Sequence, residues 1–349
     1  MTILVTGAAG FIGSNFILNW LENNKEKVIA LDKLTYAGNL ENLKSAEQKE
    51  NFLFLRGDIG DSKFVGQILH EYKPRGVINF AAESHVDRSI KAADDFIHTN
   101  ILGTYHLLQE IRIYFSNLSK NKKIKFRFLH ISTDEVFGSL SSSDEPFKET
   151  NQYKPNSPYS ASKAASDHLV RSWHCTFHIP VITTNCSNNY GPYQFPEKLI
   201  PLCILNALQG KKLPIYGDGK QIRDWLHVID HCKGIEKVLA KGEVGATYNI
   251  GGNNEKTNTQ VVNHICELLD EIKPRKNGQS YKKQINYVKD RPGHDQRYAI
   301  DASKISNELD WRAAETFDSG IRKTVQWYLD NQDWVKNIVS GDYKNWALK

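Results

Sequence analysis

A chain of 349 residues with 45 basic and 40 acidic side chains, net +5, carries no excess of positive charge for a nucleic-acid face. Its 40% hydrophobic and 24% charged residues are ordinary for a globular protein, and no apolar stretch approaches the roughly 18 residues that span a bilayer. The five cysteines are scattered without a C-x-x-C pair; they are expected to be reduced core residues of a cytoplasmic protein, and no metal is assigned.

The first apolar run, Ile3-Leu4-Val5, has no signal peptide ahead of it and reads as a strand. It passes into Thr6-Gly7-Ala8-Ala9-Gly10-Phe11-Ile12-Gly13-Ser14, with glycines at 7, 10 and 13. That spacing suits a tight turn, close approach of backbone to a pyrophosphate, and close packing of helix on strand. A helix over 11–23 would then offer free N–H groups to the phosphates. A second strand, 28–31, ends beside Asp32, where a carboxylate accepts ribose hydroxyls and repels a 2′-phosphate. NAD is therefore expected rather than NADP, with Lys33 partly offsetting the repulsion. After a third strand, 52–55, Asp58 and Ile59 suit the adenine amino group and one ring face.

Further strands are expected at 77–81, 128–131 and 181–184, and helices at 64–72, 94–115 and 160–177. This alternation predicts a Rossmann-type doubly wound parallel sheet over 1–186, the cofactor-binding domain, with later segments free to return to it. Beyond 187 the pattern loosens into Gly- and Pro-rich loops and shorter elements. Helices near 196–209, 228–240, 259–272 and 317–330 are expected there, in a smaller mixed α/β lobe over 187–349 that binds substrate. The run Lys120-Asn121-Lys122-Lys123-Ile124-Lys125 reads as a solvated loop, and Ser141-Ser142-Ser143 as a connector.

Ligands of open α/β sheets lie beyond the carboxyl ends of the strands. Ala81-Ala82-Glu83-Ser84-His85 and Ser132-Thr133-Asp134-Glu135 both follow strands, so they should converge there. Tyr159 and Lys163, four apart on a helix, share one face. Ionising a phenol of pKa near 10 at pH 7 needs about 4 kcal/mol, for which Lys163 and a nicotinamide charge are available. Hydride transfer alone needs no more than that pair. The carboxyl pair Asp134 and Glu135 adds a proton donor and a proton acceptor, which argues for oxidation followed by elimination of water.

These motifs, with Asn188-Asn189-Tyr190-Gly191-Pro192, resemble the extended short-chain dehydrogenase/reductase superfamily. Within it, the segments 32–40, 81–89, 132–136, 191–201 and 291–295 resemble dTDP-glucose 4,6-dehydratases. Phe137 departs from the Tyr more usual in that family. The resemblance implies an NAD-dependent lyase and a homodimer formed through the helices at 94–115 and 160–177. It implies that Tyr159 takes the C4 hydroxyl proton, Thr133 bonds the C4 oxygen, Glu135 takes the C5 proton and Asp134 protonates the departing C6 hydroxyl. It extends the cofactor site to Thr35, Ala81, Ala82, Ser84, Thr99 and Asn185. It places Ser84, His85, Asn188, Lys198, Leu199, Pro214, Tyr216, Arg223, Asn258, Arg291 and His294 around a dTDP-sugar, with the cations on its pyrophosphate. Thymine and uracil differ by one methyl, worth about 1–3 kcal/mol, so a UDP-glucose 4,6-dehydratase stays open, as does a UDP-sugar 4-epimerase. A non-catalytic NAD-binding regulator is disfavoured by the intact Tyr159–Lys163 pair.

Overall fold

The computed structural model describes residues 1–341; the end of the expected second lobe, 342–349, lies outside the described residues. In chain order the first strands are β1 (Thr2–Thr6), β2 (Lys27–Asp32), β3 (Phe52–Arg56), β4 (Gly76–Asn79), β5 (Arg127–Thr133) and β6 (Val181–Cys186). They are followed by β7 (Asn188–Tyr190), β8 (Leu213–Tyr216), β9 (Ile222–His227), β10 (Thr247–Ile250), β11 (Glu255–Thr257), β12 (Ile285–Val288) and β13 (Arg297–Tyr298).

Seven strands form one parallel sheet in the order β10-β6-β5-β4-β1-β2-β3. Its inner strands are buried on both faces, which is why they read as short unbroken apolar runs: Ile3, Leu4, Val5, Val28, Ile29, Val77 and Ile78 are all fully buried. The order reverses at β1, between β2 and β4, and the cleft opens at the carboxyl ends on either side of that point.

The expected boundary at 186 is not where the first core stops. β10 pairs with β6, and the helices Val228–Lys241 and Ser303–Leu309 bury Val228, Cys232, Ile235 and Ile305 in the same cluster as Ile3, Val5 and Phe16. The remaining later residues build a small lobe. There β9 pairs with β7, β11 and β13, and β8 pairs with β12. The helices Leu199–Leu208, Asn258–Ile272 and Phe317–Asp330 pack there around a second core that includes Ile204, Ile265 and Val325.

Three expectations are corrected. The fourth strand ends at Asn79, leaving 80–81 as the turn into the site. The lysine run is a short exposed helix, Lys120–Lys125, rather than a loop. The expected helix over 94–115 is interrupted by a π-helical turn, Ile97–Gly103, before Thr104–Ser116 resumes α geometry. Such turns carry an extra residue and redirect side chains, often at functional sites.

Candidate active site

One end of the cleft is made by the turn after β1. Gly7 has φ +64°, and a Cβ there would lie 2.6 Å from the Ala81 nitrogen. A Cβ on Gly13 would lie 2.3 Å from the Gly7 carbonyl oxygen. Both positions therefore exclude any side chain. Gly10 precedes the helix Phe11–Asn23 and gives it no side-chain cap, so its first N–H groups face the cleft.

At the end of β2, Asp32 accepts from the Ala9 N–H at 2.9 Å and the Leu34 N–H at 2.7 Å, one to each oxygen. These bonds aim the carboxylate across the turn and leave further lone pairs on both oxygens. Lys33 lies 3.1 Å from Asp58, so its charge is directed at a carboxylate. Around this turn the cleft holds about 1560 Å³ of space, its solvent side included, enough for a dinucleotide and a sugar together. Gly7, Gly10, Phe11, Ile12, Gly13, Asp32, Lys33, Thr35, Asp58, Ile59, Ala81, Ala82, Ser84 and Thr99 all line it.

The chemical end starts where β5 stops. Thr133, Asp134, Glu135, Tyr159 and Lys163 line the same cleft. Pro158 in the first turn and a Ser157–Ser160 capping box fix the start of the helix Pro158–Phe177, which puts Tyr159 in its first turn and Lys163 one turn on. Lys163 Nζ donates to the Ile131 carbonyl at 2.9 Å, and the Tyr159 N–H donates to Ser89 Oγ at 3.2 Å. The end of β5 is anchored from below: Ser132 Oγ donates to Asp167 at 2.7 Å, and Asn185 Nδ2 donates to the Thr133 carbonyl at 3.0 Å.

The two carboxyl groups differ in surroundings. Asp134 is buried at 2% exposure, Thr133 Oγ1 contacts its Oδ1 at 3.3 Å, and its Oδ2 has no hydrogen-bond partner among the described residues. Burial, then the neighbouring Glu135 charge, push its carboxyl well above the usual range. Burial also raises Glu135, but Arg223, Arg291 and Lys198 pull it back down. Two carboxyls side by side, Asp134 raised well above the usual range and Glu135 raised against the pull of three cations, can divide the parts of acid and base. Burial, reinforced by Glu135, pushes the Tyr159 phenol up, and burial lowers Lys163 against the opposing charge of Asp167.

The substrate end is formed by side chains from the small lobe. Lys198 lines the cleft and donates to the Ser84 carbonyl at 2.9 Å; Asn188 also lines it. Arg223 and Asp224 are neighbours on β9 and point to opposite faces, so they do not pair. Arg223 lies under Tyr298, 4.2 Å from its ring centre, with its charge felt at Glu135 and Asp134. Asp224 instead receives the N–H groups of Gly252 and Asn254. Arg291 approaches Asp87 at 3.5 Å, and the Tyr216 hydroxyl donates to the same carboxylate at 3.0 Å.

Several expected residues stand back from this cleft. Leu199, Pro214, Tyr216, Arg223, Asn258, Arg291 and His294 do not line it, nor does His85, whose Nε2 lies 3.6 Å from Glu197. His294 is bonded to Asp290 at 2.6 Å. Asn185 is expected at the cofactor; it is fully buried in β6, whose residues are buried on both faces, and its amide donates to the Thr133 carbonyl. Other residues emerge only from the structure. Asn100, inside the π-helical turn, accepts from the Glu83 N–H and donates to the Glu83 carbonyl and to Ser162. It ties the turn after β4 to the Tyr159 helix. Glu83 and Glu197 also line the cleft; Glu83 had stood in the quoted motif without a role.

A glycine turn at the reversal of a parallel sheet, facing a Tyr–Lys helix, defines a Rossmann-type protein of the extended short-chain dehydrogenase/reductase class. The model of the GDP-mannose 4,6 dehydratase family matches residues 4–324, and the chain belongs to that family. It is 58% identical over 343 residues to a dTDP-glucose 4,6-dehydratase of Xanthomonas campestris pv. campestris, covering 98% of this chain and 97% of that protein. A crystal structure of the dTDP-glucose 4,6-dehydratase of Bacillus anthracis in complex with NAD is 47% identical, with TM-score 0.85, over 97% of this chain and 99% of that one. The NAD-bound dTDP-glucose 4,6-dehydratase of Streptomyces venezuelae is 42% identical, with TM-score 0.87, over 96% and 98% of the two chains.

Proposed function

We propose that this chain is an NAD-dependent dTDP-glucose 4,6-dehydratase, forming dTDP-4-keto-6-deoxyglucose and water. Its likeness to enzymes of that name supports the reading, and one observation in the site carries it: buried Asp134 beside half-buried Glu135, both lining the cleft, with one Asp134 oxygen unpartnered among the described residues. A 4-epimerase eliminates nothing and has no use for such a pair.

The residues suit the cofactor. Gly7, Gly10 and Gly13 leave room for a pyrophosphate, Asp32 takes the ribose hydroxyls, and the Lys33–Asp58 contact weakens any attraction for a 2′-phosphate. NAD bound there supplies the acceptor for the C4 hydride and returns that hydride to C6. Tyr159 Oη takes the C4 hydroxyl proton, and Thr133 hydrogen-bonds the C4 oxygen. The ketone so formed acidifies C5–H, and Glu135 removes that proton, giving it back to C5 as the hydride adds to C6 of the enone. Asp134, held neutral by burial, protonates the C6 oxygen, which leaves as water. Lys198 lines the cleft on the side proposed for the nucleotide pyrophosphate, and the charges of Arg223 and Arg291 stand behind it.

Two lobes divide the work, the sheet half holding the cofactor and the later half the nucleotide. The assembly we propose is a homodimer through the helices around 94–116 and 158–177, supported by exposed Ile97, Leu102 and Ile113. The compartment we propose is the cytoplasm, in keeping with five free cysteines; among the described residues no helix is long and apolar enough to cross a membrane.

Incubation with dTDP-glucose deuterated at C4 should give a 4-keto-6-deoxy product carrying that label at C6, with no net reduction of NAD and with UDP-glucose a poorer substrate. Label lost to solvent would refute internal return. Glu135→Gln should lower dehydration about 100- to 10,000-fold; full turnover by that variant would remove Glu135 from its role.

A further inference from the structure

The turn after β4 and the helix Val86–Lys91 send successive residues to different segments beside the cleft. The Ser84 carbonyl takes the Lys198 ammonium, His85 meets Glu197, and Asp87 receives Tyr216 and Arg291. The Arg88 guanidinium sits 3.6 Å above the centre of the Tyr36 ring. Tyr36 belongs to the loop after β2, and its hydroxyl donates to Glu197 Oε1 at 3.0 Å across 161 residues of sequence. The same ring stands edge-on to Phe195 at 5.8 Å.

The cleft lies between these two segments. Thr35, Ala37 and Gly38 line it on the cofactor side, and Phe195, Glu197 and Lys198 on the substrate side. The Tyr36–Glu197 bond therefore ties one wall to the other over the site.

We propose that Tyr36 and Glu197 form a latch that retains the dinucleotide between turnovers. The proposal rests on the reading of the cleft as an NAD site. A cofactor restored at the end of each cycle has no need to leave, and a bond across the cleft opposes its leaving. Burial and the Glu197 charge push the Tyr36 phenol up, so it stays a donor. Glu197 Oε2 also faces His85, and Lys198 follows Glu197 in the chain, so the latch is continuous with the wall that meets the sugar nucleotide.

The test compares the wild-type chain with Tyr36→Phe and Glu197→Ala. Phe keeps the ring for Arg88 and Phe195 while removing only the hydroxyl, and thermal melts check that each variant is folded. Each NAD-loaded protein is passed through gel filtration in NAD-free buffer, and the NAD that remains is released by denaturation and measured. The expected result is that wild type keeps its NAD while both variants lose it at least tenfold faster and come to depend on added NAD. Retention by Tyr36→Phe equal to wild type would overturn the latch. Loss confined to Glu197→Ala would overturn it too, because retention would then run through another Glu197 contact. Wild type that emerges free of NAD and still turns over would overturn the cofactor reading itself.

Discussion

The two ends of the cleft are built from different materials. The cofactor end is backbone: glycines that admit no Cβ, a helix N-terminus without a side-chain cap, and a carboxylate fixed by two backbone N–H groups. The substrate end is side chains borne on separate segments, such as Asn188, Glu197 and Lys198, backed by pairs behind the lining such as Asp87 with Tyr216 and Arg291. Backbone geometry is stiff and tolerates no substitution. Side-chain pairs can exchange partners, as a charged ligand requires when it enters and leaves.

The comparison breaks most sharply at the backbone end. Gly13→Ala must push its Cβ off the Gly7 carbonyl at 2.3 Å. Moving that turn should cost on the order of 100-fold in kcat/KM, along with stoichiometric NAD. A variant with normal bound NAD would show the turn to be soft.

At the junction of the two ends, Asp134→Asn should lose dehydration yet gain stability. Burial raises the Asp134 carboxyl, so its folded form favours the neutral acid, and wild type loses stability as pH rises through that value. Asparagine does not titrate. The gap in Tm in favour of the variant should therefore widen as pH rises above the ordinary carboxylate range. A gap that stays constant with pH would mean that the carboxyl is not held neutral by burial.

The smallest effect belongs to the side-chain end. Lys198→Met removes one of three cations that pull Glu135 down, so the Glu135 pKa should rise. The base then stays protonated to higher pH, and the acidic limb of the kcat profile moves upward. KM should rise about tenfold through the lost phosphate contact. An unmoved limb would detach Lys198 from Glu135.

The backbone end was the legible one. Glycines at 7, 10 and 13 and the strand-to-Asp32 spacing are local, and the parallel strands announce themselves as unbroken apolar runs. The side-chain end was legible only in composition. Arg291 and Asp87 are 204 residues apart and Tyr36 and Glu197 are 161 apart, and no periodicity relates them. Other placements follow from no local pattern. Asn185 lies on a strand that ends at the site, but it is buried with its amide on the Thr133 carbonyl; Asn100 became a clamp on Glu83 only because a π-helical turn redirected it.

What the sequence determined by itself was the sheet, the dinucleotide turn and the acid–base residue types, since these follow from short-range sterics, burial and chemical class. Only the tertiary structure decided how deeply each carboxyl is buried, where the first core ends, and which loops meet across the cleft. Those depend on desolvation and on contacts between distant segments, and both arise only once the chain has closed on itself.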